Sequence, residues 1–266
     1  MLWKDAKVVE ELIVMRDDMR IYGKIQYPEG EGPFPVAVFS HGFGAARVYD
    51  SEMGGDFVQR GIAFAAFDFC GGGLASQSDG SMLDMSVLTE AADLEAVMDA
   101  VLALDKIDSQ QLFLVGSSQG GYVSAYVAAK RPADVRALVL NFPAFCIGDD
   151  ARERKEESPG DGIPEQATFG GLPIGKRYLQ DAMAVDIYDV IDGYDGDVLI
   201  IHGSDDEIVP PAYSVRAAQV YGTKAELVVL GGMRHGFRNS LPQHYHRAID
   251  LAVSFCVGKG RLLSDA

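Results

Sequence analysis

Leu112-Phe113-Leu114-Val115-Gly116-Ser117-Ser118-Gln119-Gly120-Gly121-Tyr122 runs from a continuous apolar segment, through a serine bracketed by glycines, into a helical pattern. A G-x-S-x-G that follows a strand and opens a helix describes a sharp strand-to-helix turn with a strained central serine whose Oγ is exposed. Side chains two positions before and after that serine would collide with the following helix and a neighbouring strand, and Gly116 and Gly120 remove them. Only Ser118 has glycine at both −2 and +2, so Ser118, not Ser117, is the candidate nucleophile. The helix that follows aims unpaired N–H groups at the same point.

Outward from this turn, short apolar runs alternate with longer helical patterns. The runs are Val36–Ser40, Ile62–Phe67, Leu112–Gly116, Ala137–Asn141, Val198–His202 and Leu227–Leu230. Continuous rather than alternating hydrophobicity marks parallel strands buried on both faces. Ser86–Leu104 carries apolar residues at helical spacing, and Gly120–Arg131, Pro211–Tyr221 and Pro242–Cys256 are also helical in pattern. Val8–Met15 and Met19–Tyr27, flanking Asp17-Asp18, predict an antiparallel hairpin. The expectation is one α/β domain over residues 1–266: a doubly wound, mostly parallel sheet with an N-terminal antiparallel hairpin. The connection between the sixth and seventh strands is too long for an ordinary crossover. It holds the polar run Asp149–Asp161, then Gly170-Gly171-Leu172-Pro173, then the aromatic-rich Lys176–Tyr194. Residues 143–196 therefore read as a small cap or lid over the carboxyl edge of the sheet.

Chain order supplies two further candidates. On this type of sheet an acid and then a histidine follow the serine. After Val198–Ile201 comes His202-Gly203-Ser204-Asp205-Asp206-Glu207-Ile208-Val209-Pro210. Asp206, four residues past His202, is the favoured acid and Asp205 the runner-up. His235, in the loop after the last strand, is the candidate base. His41 ends an earlier strand and reads as structural, and His244 and His246 lie on the last helix. The oxyanion hole is expected from the backbone N–H of Gln119 and of Phe43, in the loop Ser40-His41-Gly42-Phe43-Gly44. Candidate pocket residues are Phe43, Ser117, Phe145, Phe169 and Tyr178. Asp68 is expected to stabilise the loop beside the turn. Its glycines Gly71–Gly73 lack the lysine and immediate helix that a phosphate loop needs.

Composition bounds the rest. The chain has 266 residues, 48% of them apolar, and a formal net charge of −16. That charge argues against nucleic acid, whose binding rests on neutralising phosphates. No apolar run approaches the roughly 18 residues needed to cross a bilayer, and the N-terminus shows no secretory pattern. Cys70, Cys146 and Cys256 form no metal pattern and read as buried free thiols. The expected setting is cytoplasmic, with a small-molecule ester as partner and a homodimer left open.

These motifs resemble the α/β-hydrolase superfamily over nearly the whole chain. Within it, the pieces are most similar to the small bacterial cinnamoyl or feruloyl esterases and related carboxylesterases. The matching pieces are His41-Gly42-Phe43, Asp68 with its glycines, Ser76-Gln77-Ser78-Asp79-Gly80, Gly116–Gly121, the HGxxDxxVP segment and His235. That group often has histidine where Ser117 stands. The resemblance implies a serine esterase working through an acyl-enzyme, with no metal or organic cofactor, and a cap that helps bind the acid. Rival readings are a peptidase or amidase of the prolyl-oligopeptidase kind, a thioesterase or acyltransferase, and a binding protein on an inactive scaffold.

Overall fold

The computed structural model describes residues 8–46, 51–158, 162–237 and 240–260. Residues 1–7 and the last three of the polar run, 159–161, lie outside the described residues. The main sheet contains β1 (Val8–Arg16), β2 (Met19–Tyr27), β3 (Phe34–Ser40), β4 (Ala63–Phe67), β5 (Ile107–Ser117), β6 (Ala137–Asn141), β9 (Asp197–Gly203) and β10 (Ala225–Leu230). Its order is β1-β2-β4-β3-β5-β6-β9-β10. β1 pairs antiparallel with β2 and β2 antiparallel with β4, while the strands from β4 to β10 run parallel. The hairpin turns at Asp17, whose φ of 51° is a conformation Asp tolerates better than most residues.

Period-two alternation sorts the strands' side chains between two apolar layers. On β5, Leu112 and Leu114 join the layer beneath α2 (Val87–Leu102), α3 (Gln119–Lys130) and α7 (Ala212–Tyr221). Phe113 and Val115 face the other layer, beneath α1 (Ser51–Gln59) and α8 (Pro242–Lys259). Covering both faces explains the uninterrupted apolar runs. β5 begins at Ile107, earlier than its apolar run, because Asp108–Gln110 lie at the half-exposed start where polar residues cost nothing. α1 has no clear helical signature in the sequence, since Gly54 and Gly55 interrupt it.

Between β6 and β9 the chain forms α4 (Ile147–Glu157), a two-stranded hairpin of β7 (Gln166–Phe169) and β8 (Leu172–Gly175), α5 (Lys176–Ala184) and α6 (Ile187–Ile191). Gly170 and Gly171, both at positive φ, supply the two-residue turn that suits a right-twisted hairpin. α5 is tied to the sheet layer at the start of α2. There Ser86 caps the helix, its Oγ accepting from the Thr89 amide at 3.2 Å and donating to Asp181 Oδ2 at 2.5 Å. Among the described residues, no helix is long and apolar enough to cross a membrane.

Ser86→Ala removes the cap and the link to α5 together. We expect a loss of about 1–2 kcal/mol in urea unfolding, in the range of N-cap deletions; an unchanged midpoint would contradict this account of the helix start.

Candidate active site

The turn at Ser118 is tight. Ser118 has φ 54° and ψ −120°, a strained backbone for a residue with a side chain. It is held there by four hydrogen bonds. Its N–H donates to Asn141 O at 2.9 Å, and its carbonyl accepts from the amides of Gly121, Tyr122 and Ala144. A Cβ on Gly116 would run into Gly120 O and Ser124 at the head of α3, and one on Gly120 into the carbonyls of Ser40 and His41 at the end of β3. The two glycines thus let β3, β5 and α3 meet at one point.

Ser118 Oγ lies 3.0 Å from His235 Nε2, and His235 Nδ1 lies 2.7 Å from Asp206 Oδ2. The bond to the carboxylate selects the tautomer with the proton on Nδ1, leaving Nε2 free to accept from the serine hydroxyl. Asp206 is buried at the start of the loop after β9. Its Oδ1 accepts from the amides of Ile208 (3.0 Å) and Val209 (2.8 Å). His202 Nε2 lies 3.3 Å from Oδ2 and 2.9 Å from Val209 O. Burial would raise the carboxyl's pKa, but hydrogen bonds from His202, His235 and the Val209 amide outweigh it, so the group is held well below the usual carboxylate range. Asp205, the alternative acid, is exposed and bonded to Ser204 Oγ instead.

The loop from β3 passes directly beside the serine. A Cβ on Gly42 would come within 3.2 Å of Ser118 Cβ. His41 pins this loop from beneath: Nδ1 lies 2.8 Å from Gly42 O, and Nε2 accepts from the Phe69 amide at 3.1 Å. Burial lowers its pKa, which matches a neutral ring donating through one nitrogen and accepting through the other. Asp68 accepts from the Gln77 amide at 2.9 Å and so braces the neighbouring loop. Phe43 and Gln119 border the same cavity as Ser118 and His235. As the first residue of α3, Gln119 has no helical carbonyl behind it to take its N–H.

The cavity has a volume of about 240 Å³ and a mainly apolar wall. Phe43, Phe169 and Tyr178 line it, with the Phe43 ring 5.2 Å from Phe169 and 6.0 Å from Tyr178, both edge-on. Two expected liners do not. Ser117 continues the β5 alternation onto the α1/α8 side of the sheet, where Asn141 Nδ2 lies 3.4 Å from its Oγ. Phe145 points into a separate small cavity between Tyr122 and Tyr188. Ile208 and Val209, after the acid, and Leu172 and Ile174, on β8, were not anticipated as lining residues. Reading Gly170-Gly171 as a hairpin turn would have placed Leu172 opposite Phe169. Cys146, Asp150 and Arg154 add polar groups from α4 and the residue before it. Phe142, just past β6, sits at φ 39° with its ring 5.0 Å from that of His235, backing the imidazole.

Residues 32–158, which include Ser118 but not Asp206 or His235, match the Hydrolase_4 family, described as serine aminopeptidase, S33. The chain superposes on Est1E from Butyrivibrio proteoclasticus, solved with ferulic acid bound, at TM-score 0.78 and 23% identity, covering 93% of this chain and 96% of that one. The chain has the α/β-hydrolase fold. Mouse alpha/beta hydrolase domain-containing protein 10 shares the α/β-hydrolase fold at TM-score 0.73 and 20% identity, covering 92% of this chain and 98% of that one. Palmitoyl-protein thioesterase ABHD10, mitochondrial, from Bos taurus is 27% identical over 232 residues, covering 79% of this chain and 70% of that protein. The candidate site lies where open α/β sheets place ligands, outside the strands' carboxyl ends.

The depressed pKa of Asp206 gives a pH test. A carboxyl whose folded pKa lies below its unfolded value, about 3.9, contributes stability above that pH and loses it as pH falls toward the folded pKa. The difference in urea-unfolding stability between the wild type and Asp206→Asn should shrink from pH 5 to pH 3; a gap that widens over that interval would refute the assignment.

Proposed function

We propose that this protein is a serine carboxylic-ester hydrolase that works through an acyl-enzyme. The observation that carries the reading is the hydrogen-bonded run Ser118–His235–Asp206 opening on an apolar cavity. Ser118 Oγ attacks the ester carbonyl while His235 Nε2 takes its proton. Asp206, kept ionised by its donors, holds the imidazole and stabilises the imidazolium. The amides of Gln119 and Phe43 hold the negative oxygen of the tetrahedral intermediate. His235 then returns the proton to the departing alcohol. Water, deprotonated by the same nitrogen, attacks the acyl-enzyme and releases the acid.

Residues 143–196 act as the cap and supply most of the cavity wall, with Phe169, Leu172 and Tyr178 among them. Three aromatic rings, Phe43, Phe169 and Tyr178, suit a flat conjugated acyl group, so hydroxycinnamate esters are the favoured substrates and short aliphatic esters the next. Est1E, with its bound ferulic acid, supports the first choice. A thioester substrate is the second reading, supported by the likeness to a palmitoyl-protein thioesterase.

A panel of methyl ferulate, p-nitrophenyl acetate, palmitoyl thioester and aminoacyl amide, each with wild type and Ser118→Ala, tests this. We expect methyl ferulate to give the highest kcat/KM and Ser118→Ala to reduce it at least about 1000-fold, since removing a triad serine costs up to roughly a million-fold. Amide turnover without ester turnover would refute the esterase reading. Preference for the palmitoyl thioester would move the assignment to the second.

A further inference from the structure

A buried run of side-chain hydrogen bonds next to the nucleophile is not used by the scheme above. Gln119 Nε2 donates to Glu90 Oε2 at 2.8 Å, and the Tyr178 hydroxyl donates to Gln119 Oε1 at 2.6 Å. Glu90 and Gln119 are each 1% exposed and Tyr178 is 6% exposed. The three residues come from three elements: α2, the first position of α3, and α5. Glu90 and Tyr178 grip opposite ends of one carboxamide. In this arrangement the carboxamide donates to Glu90 and accepts from the Tyr178 hydroxyl, so both of its ends are occupied.

Gln119 is also the residue whose main-chain N–H faces the oxyanion in the proposed mechanism. Its side chain and its amide share one Cα at the head of α3, where the strained Ser118 leaves little freedom. Its anchor, α2, meets α5 twice: Ser86 Oγ donates to Asp181, and Glu90 reaches Tyr178 through Gln119. We infer that Glu90 is a positioning residue for acyl transfer: by clamping the Gln119 carboxamide it sets the direction of the Gln119 amide and locks the Tyr178 wall of the cavity to the same residue. The inference rests on the serine-esterase reading of this site.

The chemistry of Glu90 fits the task. Burial pushes its pKa up, the Gln119 bond opposes this and nearby Asp93 adds to it, leaving the group at about 8. An uncharged carboxyl beside the oxyanion hole accepts the hydrogen bond without adding negative charge against the transition state. A carboxyl serving packing alone is poorly placed here, since an apolar residue of similar size fills such a site at no greater cost. Its two α2 neighbours in the same buried region serve other ends. Asp93 is taken up by Arg16 and the Cys70 amide, and Ser86 by the helix cap.

The test compares Glu90→Leu, Glu90→Gln, Tyr178→Phe and Glu90→Leu/Tyr178→Phe on p-nitrophenyl acetate, with active sites counted by a fluorophosphonate probe. Misdirecting one oxyanion donor should cost less than deleting it, so Glu90→Leu should lower kcat about 10- to 100-fold with KM within about threefold of wild type. Glu90→Gln, which still accepts from Gln119, should regain most of that loss. The double variant should be no slower than Glu90→Leu, because both partners act through one carboxamide. If Glu90→Leu does not fold, Gln119→Leu keeps the amide and removes the clamp, and carries the same expectation. A kcat within about twofold of wild type in the folded Leu variant, a Glu90→Gln as slow as Glu90→Leu, or a loss confined to KM would each overturn the inference. A wild type that neither hydrolyses the ester nor takes the probe would instead bring down the esterase reading, and this inference with it.

Discussion

Everything at this site depends on the backbone of Ser118, held in a conformation that a residue with a side chain avoids. Strain of this kind costs on the order of 1–3 kcal/mol and persists only where the surroundings over-determine it. Here the surroundings are three elements in contact. Asn141 on β6 accepts the Ser118 N–H, Ala144 beyond it donates to the Ser118 carbonyl, and Gly120 packs on the end of β3. The exposed Oγ, the orientation of the Gln119 amide and the approach of the Gly42–Phe43 loop all follow from that one turn. It also explains why the cavity sits where it does: the loops beyond β3, β5, β6 and β9 converge on the crossing point.

Three buried acids around this turn show how environment assigns them different states. Asp206 gathers two histidines and two amides, so it stays ionised in spite of burial. Asp93 is also raised by burial, and it meets the charge of Arg16 and the amide of Cys70. Glu90 meets a neutral carboxamide, and burial prevails. One side-chain chemistry thus gives a charged carboxylate, a paired one and a neutral one near Ser118.

Much of this was legible in advance because it is local. The strand, G-x-S-x-G and helix of residues 112–130 state their geometry through sterics alone. Buried parallel strands announce themselves as unbroken apolar runs. Asp206 could be preferred over Asp205 from its spacing to His202, and the structure puts Asp206 beside His235 while Asp205 faces solvent. Less was legible where the decision lay with a partner far along the chain. Phe145 and Phe169 are both phenylalanines of the same long segment, yet one packs against Tyr122 and Tyr188 and the other walls the cavity. Ser117 adjoins Ser118 but alternation turns it to the opposite face of the sheet.

By itself, then, the amino-acid sequence determined the sheet, the turn, and the chain order of serine, acid and histidine, since each is written in steric limits and hydrophobic period over a few consecutive residues. The tertiary structure alone decided which residues wall the cavity and that Glu90, 29 positions before Gln119 in sequence, holds its side chain. The physical reason is burial. A carboxyl in the first turn of an amphipathic helix reads as a solvated residue, and only the packing of α2 against α3 and α5 takes it out of water and sets it against the Gln119 carboxamide.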